Sequence, residues 1–311
     1  MVEGSSHQQN AGRVGTVRVG CRGFGLRLMA LLQGRSVAVR RSRLPLILAA
    51  SLASVSAKAN DIVFLGDESR VELLASCSPC QNQKLTVATP KPGASAQEVA
   101  NAAQGARHAV VVVDASVGPL PVIREHVLIA RQAGVPSLSV MFTHMPKLEG
   151  MSDAGELLEL EERSVRELMN KYEMGGDKAM VFHDASIRAI PRLRTHGVGM
   201  AEVLRAAQRL PERKARPAES FSGRKFFAYL YVLTPQESKF AAPISNDSSI
   251  GLWVNGQSLR ARVRTKQAVQ PGGNGEVEFE VETPVVAAIG ARLLLERGGK
   301  IVAAGVVSRG S

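Results

Sequence analysis

Reactive chemistry needs particular side chains at fixed spacings, and this 311-residue chain offers a few places to look for them. Cys77-Ser78-Pro79-Cys80 is a CxxC, a spacing used by zinc sites and by thiol exchange. No second CxxC or His pair completes a zinc site, so no metal ligand is assigned and the two thiols are expected to be unpaired in a loop. His183-Asp184 sets an imidazole beside a carboxylate, but no nucleophile signature accompanies it, and no residue is assigned as catalytic. His126 falls on a predicted helix, where the plain expectation is a partly exposed residue, and His144 falls in a loop. Arg260, Arg262 and Arg264 alternate along a predicted strand and so share one side, opposite Leu259, Ala261 and Val263. Such a stripe suits phosphate contacts, and it equally suits a solvated sheet face.

The elements that must position these groups have two textures. Up to about residue 210 the pattern alternates between strand and helix. Leu85 to Ala88 reads as a short strand and Ala96 to Ala106 as an alanine-rich helix. Ala109 to Val113 is a continuous β-branched run, the mark of a strand buried on both faces of a parallel sheet. A helix from Pro121 to Ala133 and a strand from Leu138 to Phe142 complete a βαβ unit. Glu156 to Tyr172 predicts a long helix with Leu157, Leu160, Val165, Leu168 and Tyr172 as its apolar stripe, and with i,i+4 pairs Glu159/Arg163, Glu162/Arg166 and Glu167/Lys171. Met180 to Phe182 and Met200 to Leu210 follow as strand and helix. From Ser36 to Asn82 the pattern is weak.

After the charged, proline-bounded stretch 211–217 no helical period remains. Six short strand candidates lie at 225–233, 250–254, 259–264, 276–282, 292–296 and 301–307, which suggests a small β-barrel. The domains read as a basic N-terminal segment at 1–60, an α/β domain at 61–210, a linker at 211–222 and a barrel at 223–311.

Nine Lys/Arg against one acid give residues 1–60 a charge of +8, so only +3 of the chain's +11 belongs to the rest. The high isoelectric point therefore describes the N-terminal segment, and it does not make the folded body a nucleic-acid binder. Arg40-Arg41-Ser42-Arg43 followed by LPLILAASLASV imitates a secretory signal, but it starts forty residues in and its apolar run is too short to span a bilayer. A cytoplasmic protein without membrane association is expected.

Residues 108–183, from HAVVVVDASVGPLPVIREHVLIARQAGVP to AMVFHD, resemble the nucleotide-binding domain of bacterial elongation factor Tu, a translational GTPase. Phe227 to Thr234 (FAYLYVLT) and Arg297 to Val307 (RGGKIVAAGVV) are similar to that family's last β-barrel, while the family's middle barrel has no counterpart here. The resemblance implies an α/β P-loop-GTPase-like domain, a mostly parallel sheet with flanking helices, followed by a C-terminal antiparallel β-barrel.

The family's chemical positions hold different side chains. A P-loop, GxxxxGK[ST], needs glycines to wrap phosphate, a Lys for charge and a hydroxyl for Mg²⁺. Its match, Val14 to Leu26, places Gly23 at the last glycine, with Phe24 and Gly25 in place of Lys and Thr. The DxxG motif falls at Ala88 to Lys91, with Pro92 where the family has its water-positioning His; a two-residue shift puts Ala94 there instead. The guanine-reading NKxD motif falls on Thr143-His144-Met145-Pro146, with His144 replacing the Lys and no carboxylate at Pro146. GTP carries about four negative charges, so the missing Lys and Mg²⁺ ligand are the costliest losses.

The resemblance therefore implies a degenerate, pseudo-GTPase relative that does not hydrolyse GTP, has no cofactor, and acts if at all as a binding or scaffold protein in or near translation. A divergent aminoacyl-tRNA-delivering GTPase with weak GTP and Mg²⁺ binding, and a decaying gene copy, remain open. In the family, helices matching 121–133 and 156–172 face the exchange factor Ts, so His126 and Ile129 are expected as docking residues for that factor or another translation protein. Arg260, Arg262 and Arg264 are the candidates for a weak tRNA contact.

Overall fold

The computed structural model describes residues 60–81, 85–190, 194–210 and 219–310. The phosphate-loop match at Gly23, Phe24 and Gly25, the signal-like run and the proline-bounded stretch at 211–217 lie outside these residues.

The α/β part is built on a six-stranded parallel sheet. Its strands are β1 (Ile62–Gly66), β2 (Val87–Ala88), β3 (His108–Asp114), β4 (Leu138–Thr143), β5 (Met180–His183) and β6 (Gly197–Val198), in the order β2-β1-β3-β4-β5-β6. The helices are α1 (Ser69–Ala75), α2 (Ser78–Gln81), α3 (Ala96–Ala103), α4 (Pro121–Gln132), α5 (Ala154–Lys171) and α6 (Met200–Gln208). Every residue of β1, β3 and β4 is buried, as continuous apolar strands between two helical layers must be. Successive side chains point to opposite layers: Val63, Leu65, Val111, Val113, Val140 and Phe142 pack with α3, α4 and α5, while Ile62, Phe64, Val110, Val112 and Met141 pack with α6 and Cys77.

Local signals start the helices where the sequence puts them. Ser95 and Glu98 form a reciprocal capping box at α3, and Pro121 opens α4. The expected apolar stripe of α5 holds at Leu157, Val165, Leu168 and Tyr172, which pack in or against the core, and fails at Leu160. Ala154, Leu158, Glu161, Val165 and Met169 face inward, and Leu160 is 57% exposed. The reason is a carboxylate: Glu161 occupies an inward position that a hydrophobicity pattern assigns outward. The pairs Glu159/Arg163 and Glu162/Arg166 form, whereas Lys171 reaches across to Glu237 at 2.8 Å rather than to Glu167.

β7 (Ser220–Val232), β8 (Ser249–Val254), β9 (Gln257–Arg264), β10 (Asn274–Ala288), β11 (Arg292–Arg297) and β12 (Lys300–Gly310) close into an antiparallel barrel, β10-β7-β12-β11-β8-β9. Its interior is filled by alternate residues such as Phe226, Leu230, Leu252, Val263, Phe279 and Leu295.

The barrel shares a core with α3 and α4. Trp253, Leu294, Ile301 and Ala304 join the cluster that holds Val99, Val127 and Ala130. Directional bonds fix this seam: Trp253 Nε1 donates to Asn101 Oδ1 at 2.7 Å, and Gln132 Nε2 donates to the carbonyls of Leu293 (3.0 Å) and Gly305 (3.2 Å). Lys300 pairs with Glu125 at 3.0 Å, and Arg292 donates to the Arg131 carbonyl.

One expectation fails, and one strand lies where none is assigned: β1, second from the edge of the sheet, falls in the segment 36–82 whose sequence pattern is weak. The thiols of Cys77 and Cys80 are joined as a disulfide, their Cα atoms 5.3 Å apart at the bend between α1 and α2, where the chain brings residues three apart together.

Candidate functional site

In an open parallel sheet, ligands sit beyond the carboxyl ends of the strands, where the strand order reverses. Here β2 and β3 flank β1 on opposite sides, so the reversal lies at β1/β3. The segments that meet there are Gly66 to Arg70 after β1, Asp114 to Gly118 after β3, Thr143-His144 after β4, and His183-Asp184, which ends β5 and begins the turn after it. A cleft of about 600 Å³, lined by Ser69, Glu72, Cys77, Thr143, His144, Asp184 and Gly199 among others, opens on this edge.

The turn after β1 stands where a phosphate loop would stand in such a sheet, and most of its amides are bonded within the protein. Gly66 N–H donates to His126 Nδ1 (2.8 Å), Asp67 N–H to the Val112 carbonyl (2.9 Å) and Ser69 N–H to Asp67 Oδ1 (2.9 Å). Arg70 and Val71 donate to the carbonyls of Asp67 and Glu68. Gly66 has φ +95°, and a Cβ there would lie 2.4 Å from the Val112 oxygen, so only glycine lets β1 end this close to β3.

Arg70 completes the closure. It is 2% exposed, and its five donors all have acceptors: Nε on Thr89 Oγ1 (3.0 Å), Nη1 on the carbonyls of Gly66 (3.0 Å) and Asp67 (2.9 Å), and Nη2 on those of Pro90 (3.3 Å) and Lys91 (3.4 Å). Burial lowers its pKa, against which Glu68 and Asp67 act. The guanidinium thus ties the turn after β1 to Thr89–Lys91, the stretch aligned with the water-positioning motif.

At the other end of the cleft, Thr143 Oγ1 bonds to Ser69 Oγ at 2.8 Å. His144 adopts φ +58°, and its Nδ1 lies 2.7 Å from Asp114 Oδ2, while Nε2 is 3.9 Å from Glu72. Asp184 accepts the N–H groups of His144 (2.6 Å) and Met145 (3.2 Å). Pro146 sits exposed in the 3₁₀ turn Met145–Leu148. Ala88 is a half-buried strand residue beside Val63. Asp114 stays below the usual carboxylate range: burial pushes it up, but the Ser116 hydroxyl and N–H and the His144 ring outweigh that. Glu161, 4% exposed with Oε2 unpartnered among the described residues, is pushed up to about 7 by burial and by Asp114.

The polar groups of this edge are engaged mainly with one another. Four amides of the turn are bonded within the protein, Arg70 uses all its donors, and the carboxylates Asp67, Glu68, Glu72, Asp114 and Asp184 outnumber the cations Arg70 and Lys147.

The sequence brings His183 and Asp184 together only in name. His183 is fully buried, stacks on Phe142 with centroids 5.8 Å apart, and has neither ring nitrogen bonded among the described residues. Burial takes its pKa down to about 4. The histidine with a carboxylate partner is His144, a loop residue by sequence. Asp114 at the end of a buried strand was the available signal, and Arg70 gave none.

The two docking candidates on α4 are corrected. His126 is 5% exposed and accepts from Gly66; burial, then Arg70 and Lys300, bring its pKa to about 3. Ile129 is fully buried in the core shared with the barrel. Both lie on the inward side of α4, which is covered by the sheet and the barrel together. On the barrel, Arg260 and Arg262 are exposed as expected, while Arg264 pairs with Asp247 and, at 3.4 Å, with Glu280. No helix among the described residues is long and apolar enough to cross a membrane.

A family model, the elongation factor Tu GTP binding domain, matches residues 92–212. The matched span runs from α3 through α6 and stops short of β1, α1 and the barrel. Over that span the chain is similar to the GTP-binding domain of a translational GTPase family, carried on a parallel sheet whose phosphate-side turn lies outside the match.

Proposed function

We propose that this protein is a degenerate relative of elongation factor Tu that neither binds nor hydrolyses GTP and acts through protein contacts in or near translation. The observation that supports it most is Arg70, whose five bonds span the place where nucleotide phosphates would lie. Phosphate release from GTP, followed with Mg²⁺ and ribosomes present, is expected to equal the protein-free rate. Release that scales with protein concentration would favour the divergent-GTPase reading instead.

A translation partner, the exchange factor Ts included, would meet the outward side of α5 rather than His126 or Ile129. That side carries exposed Leu160 among Glu156, Glu159, Arg163 and Glu167. Capture of Ts by the full chain is expected to drop with Leu160→Glu; equal capture by both proteins would remove α5 from the account. A tRNA contact at Arg260 and Arg262 is expected to be weak, because Glu280 and Asp247 already answer Arg264 on the same sheet face.

A further inference from the structure

The disulfide between Cys77 and Cys80 lies where a cross-link does little to hold the chain together. It closes a four-residue loop, and the chain-entropy gain of a disulfide is smallest for the shortest loops. The backbone keeps the same residues in place without it: Ser78 N–H donates to the Ser76 carbonyl and Cys80 N–H to the Cys77 carbonyl, at 3.0 and 3.1 Å. The two cysteines also differ in access. Cys77 is buried, whereas Cys80 is half-buried and next to exposed Gln81. Cys80 N–H further donates to Cys77 Sγ at 3.1 Å, so a thiolate left on Cys77 keeps a hydrogen-bond donor.

We propose that Cys77–Cys80 is a thiol–disulfide exchange site for a dithiol reductant, and that its redox state sets the shape of the carboxyl-edge cleft. One thiolate of the reductant attacks Cys80 Sγ and forms a mixed disulfide. The Cys77–Cys80 S–S bond breaks, and Cys77 leaves as a thiolate that takes up a proton. The reductant's second thiolate then attacks its own sulfur in the mixed disulfide, releasing Cys80 as a thiol. Two electrons pass to the protein and the reductant ends as a disulfide. The cleft responds because Cys77 forms part of its wall beside Thr143 and His144, and because α2 packs on α6, whose Met200 and Ala201 line the same cleft. None of this depends on the nucleotide reading above.

The test uses the oxidised full chain without denaturant, treated with dithiothreitol in one arm and with reduced thioredoxin in the other. Free thiols are read by alkylation mass shift and backbone opening by amide hydrogen exchange. Opening in the thioredoxin arm identifies a protein dithiol as a competent source; opening by dithiothreitol alone identifies a small one. Resistance to both until the protein is unfolded overturns the proposal. On reduction, exchange at 76–81 and 199–203 is expected to rise at least about tenfold with the barrel unchanged; no change at 199–203 overturns control of the cleft. Single variants test the direction of attack. The remaining thiol of Cys77→Ser is expected to react with an aryl disulfide at least about tenfold faster than that of Cys80→Ser, and equal or reversed rates refute Cys80 as the entry point.

Discussion

The barrel seam and the carboxyl edge of the sheet are held together by opposite means. At the seam, apolar side chains from α3, α4, β8, β11 and β12 merge into one core, and a few polar groups such as Gln132 and Asn101 fix its register. At the edge, charged and hydroxyl groups close on one another: Arg70 on five acceptors, Asp184 on two amides, Asp114 on His144 and Ser116. The difference teaches that apolar burial joins the two parts, whereas the carboxyl edge is organised by hydrogen bonds among its own polar side chains.

The largest expected effect weakens the seam. Trp253→Ala removes a fully buried indole and its bond to Asn101, and should cost about 3–5 kcal/mol in urea unfolding. A loss below about 1 kcal/mol would show that the barrel and the α/β part do not share a core. Arg70→Ala tests the edge in the same way. Leaving buried carbonyls unpaired should cost about 3 kcal/mol, and a neutral result would mean that water replaces the guanidinium freely.

A smaller effect is carried by pH. Glu161 has its folded pKa raised to about 7 from an ordinary 4.5, so the folded state holds the proton more tightly than the unfolded chain. Its contribution is fully present below about pH 4.5 and is lost as pH rises through 7, by roughly 2 kcal/mol after allowing for relaxation of the site. The buried neutral histidines His108, His126 and His183 act in the opposite sense, since their lowered pKa values cost stability as pH falls below 6.5. They cancel when wild type is compared with Glu161→Gln. The stability difference between the two proteins should therefore change between pH 5 and 8; a constant difference would mean that Glu161 is not protonated in the fold.

The same contrast explains how far the sequence can be read. Burial writes periodic patterns, so β3, α4, β4, α6 and all six barrel strands fall close to where alternation and helical spacing put them. β1 lies in a segment whose weak pattern assigns no strand, and on α5 the expected stripe fails only at Leu160, next to Glu161, which turns a charged residue inward. At the site the sequence shows only departures from the family's motifs, and the phosphate-loop match at Gly23, Phe24 and Gly25 lies outside the described residues. Arg70 to Pro90 and Lys91, His126 to Gly66 and Asp114 to His144 are contacts between residues twenty to sixty apart, for which local spacing leaves no trace. The aligned positions Thr143 and His144 did reach the edge, while His126 and Ile129 were expected at a surface that the barrel and the sheet cover.

The proposed function rests on the carboxyl edge binding no nucleotide, because Arg70 and most amides of the turn after β1 are bonded within the protein. A titration of the full chain with a fluorescent GTP analogue and Mg²⁺ tests it most directly. The account predicts no saturable signal up to about 1 mM analogue, weaker than about −4 kcal/mol of binding. Saturable binding at micromolar concentration, competed by unlabelled GTP, would contradict it.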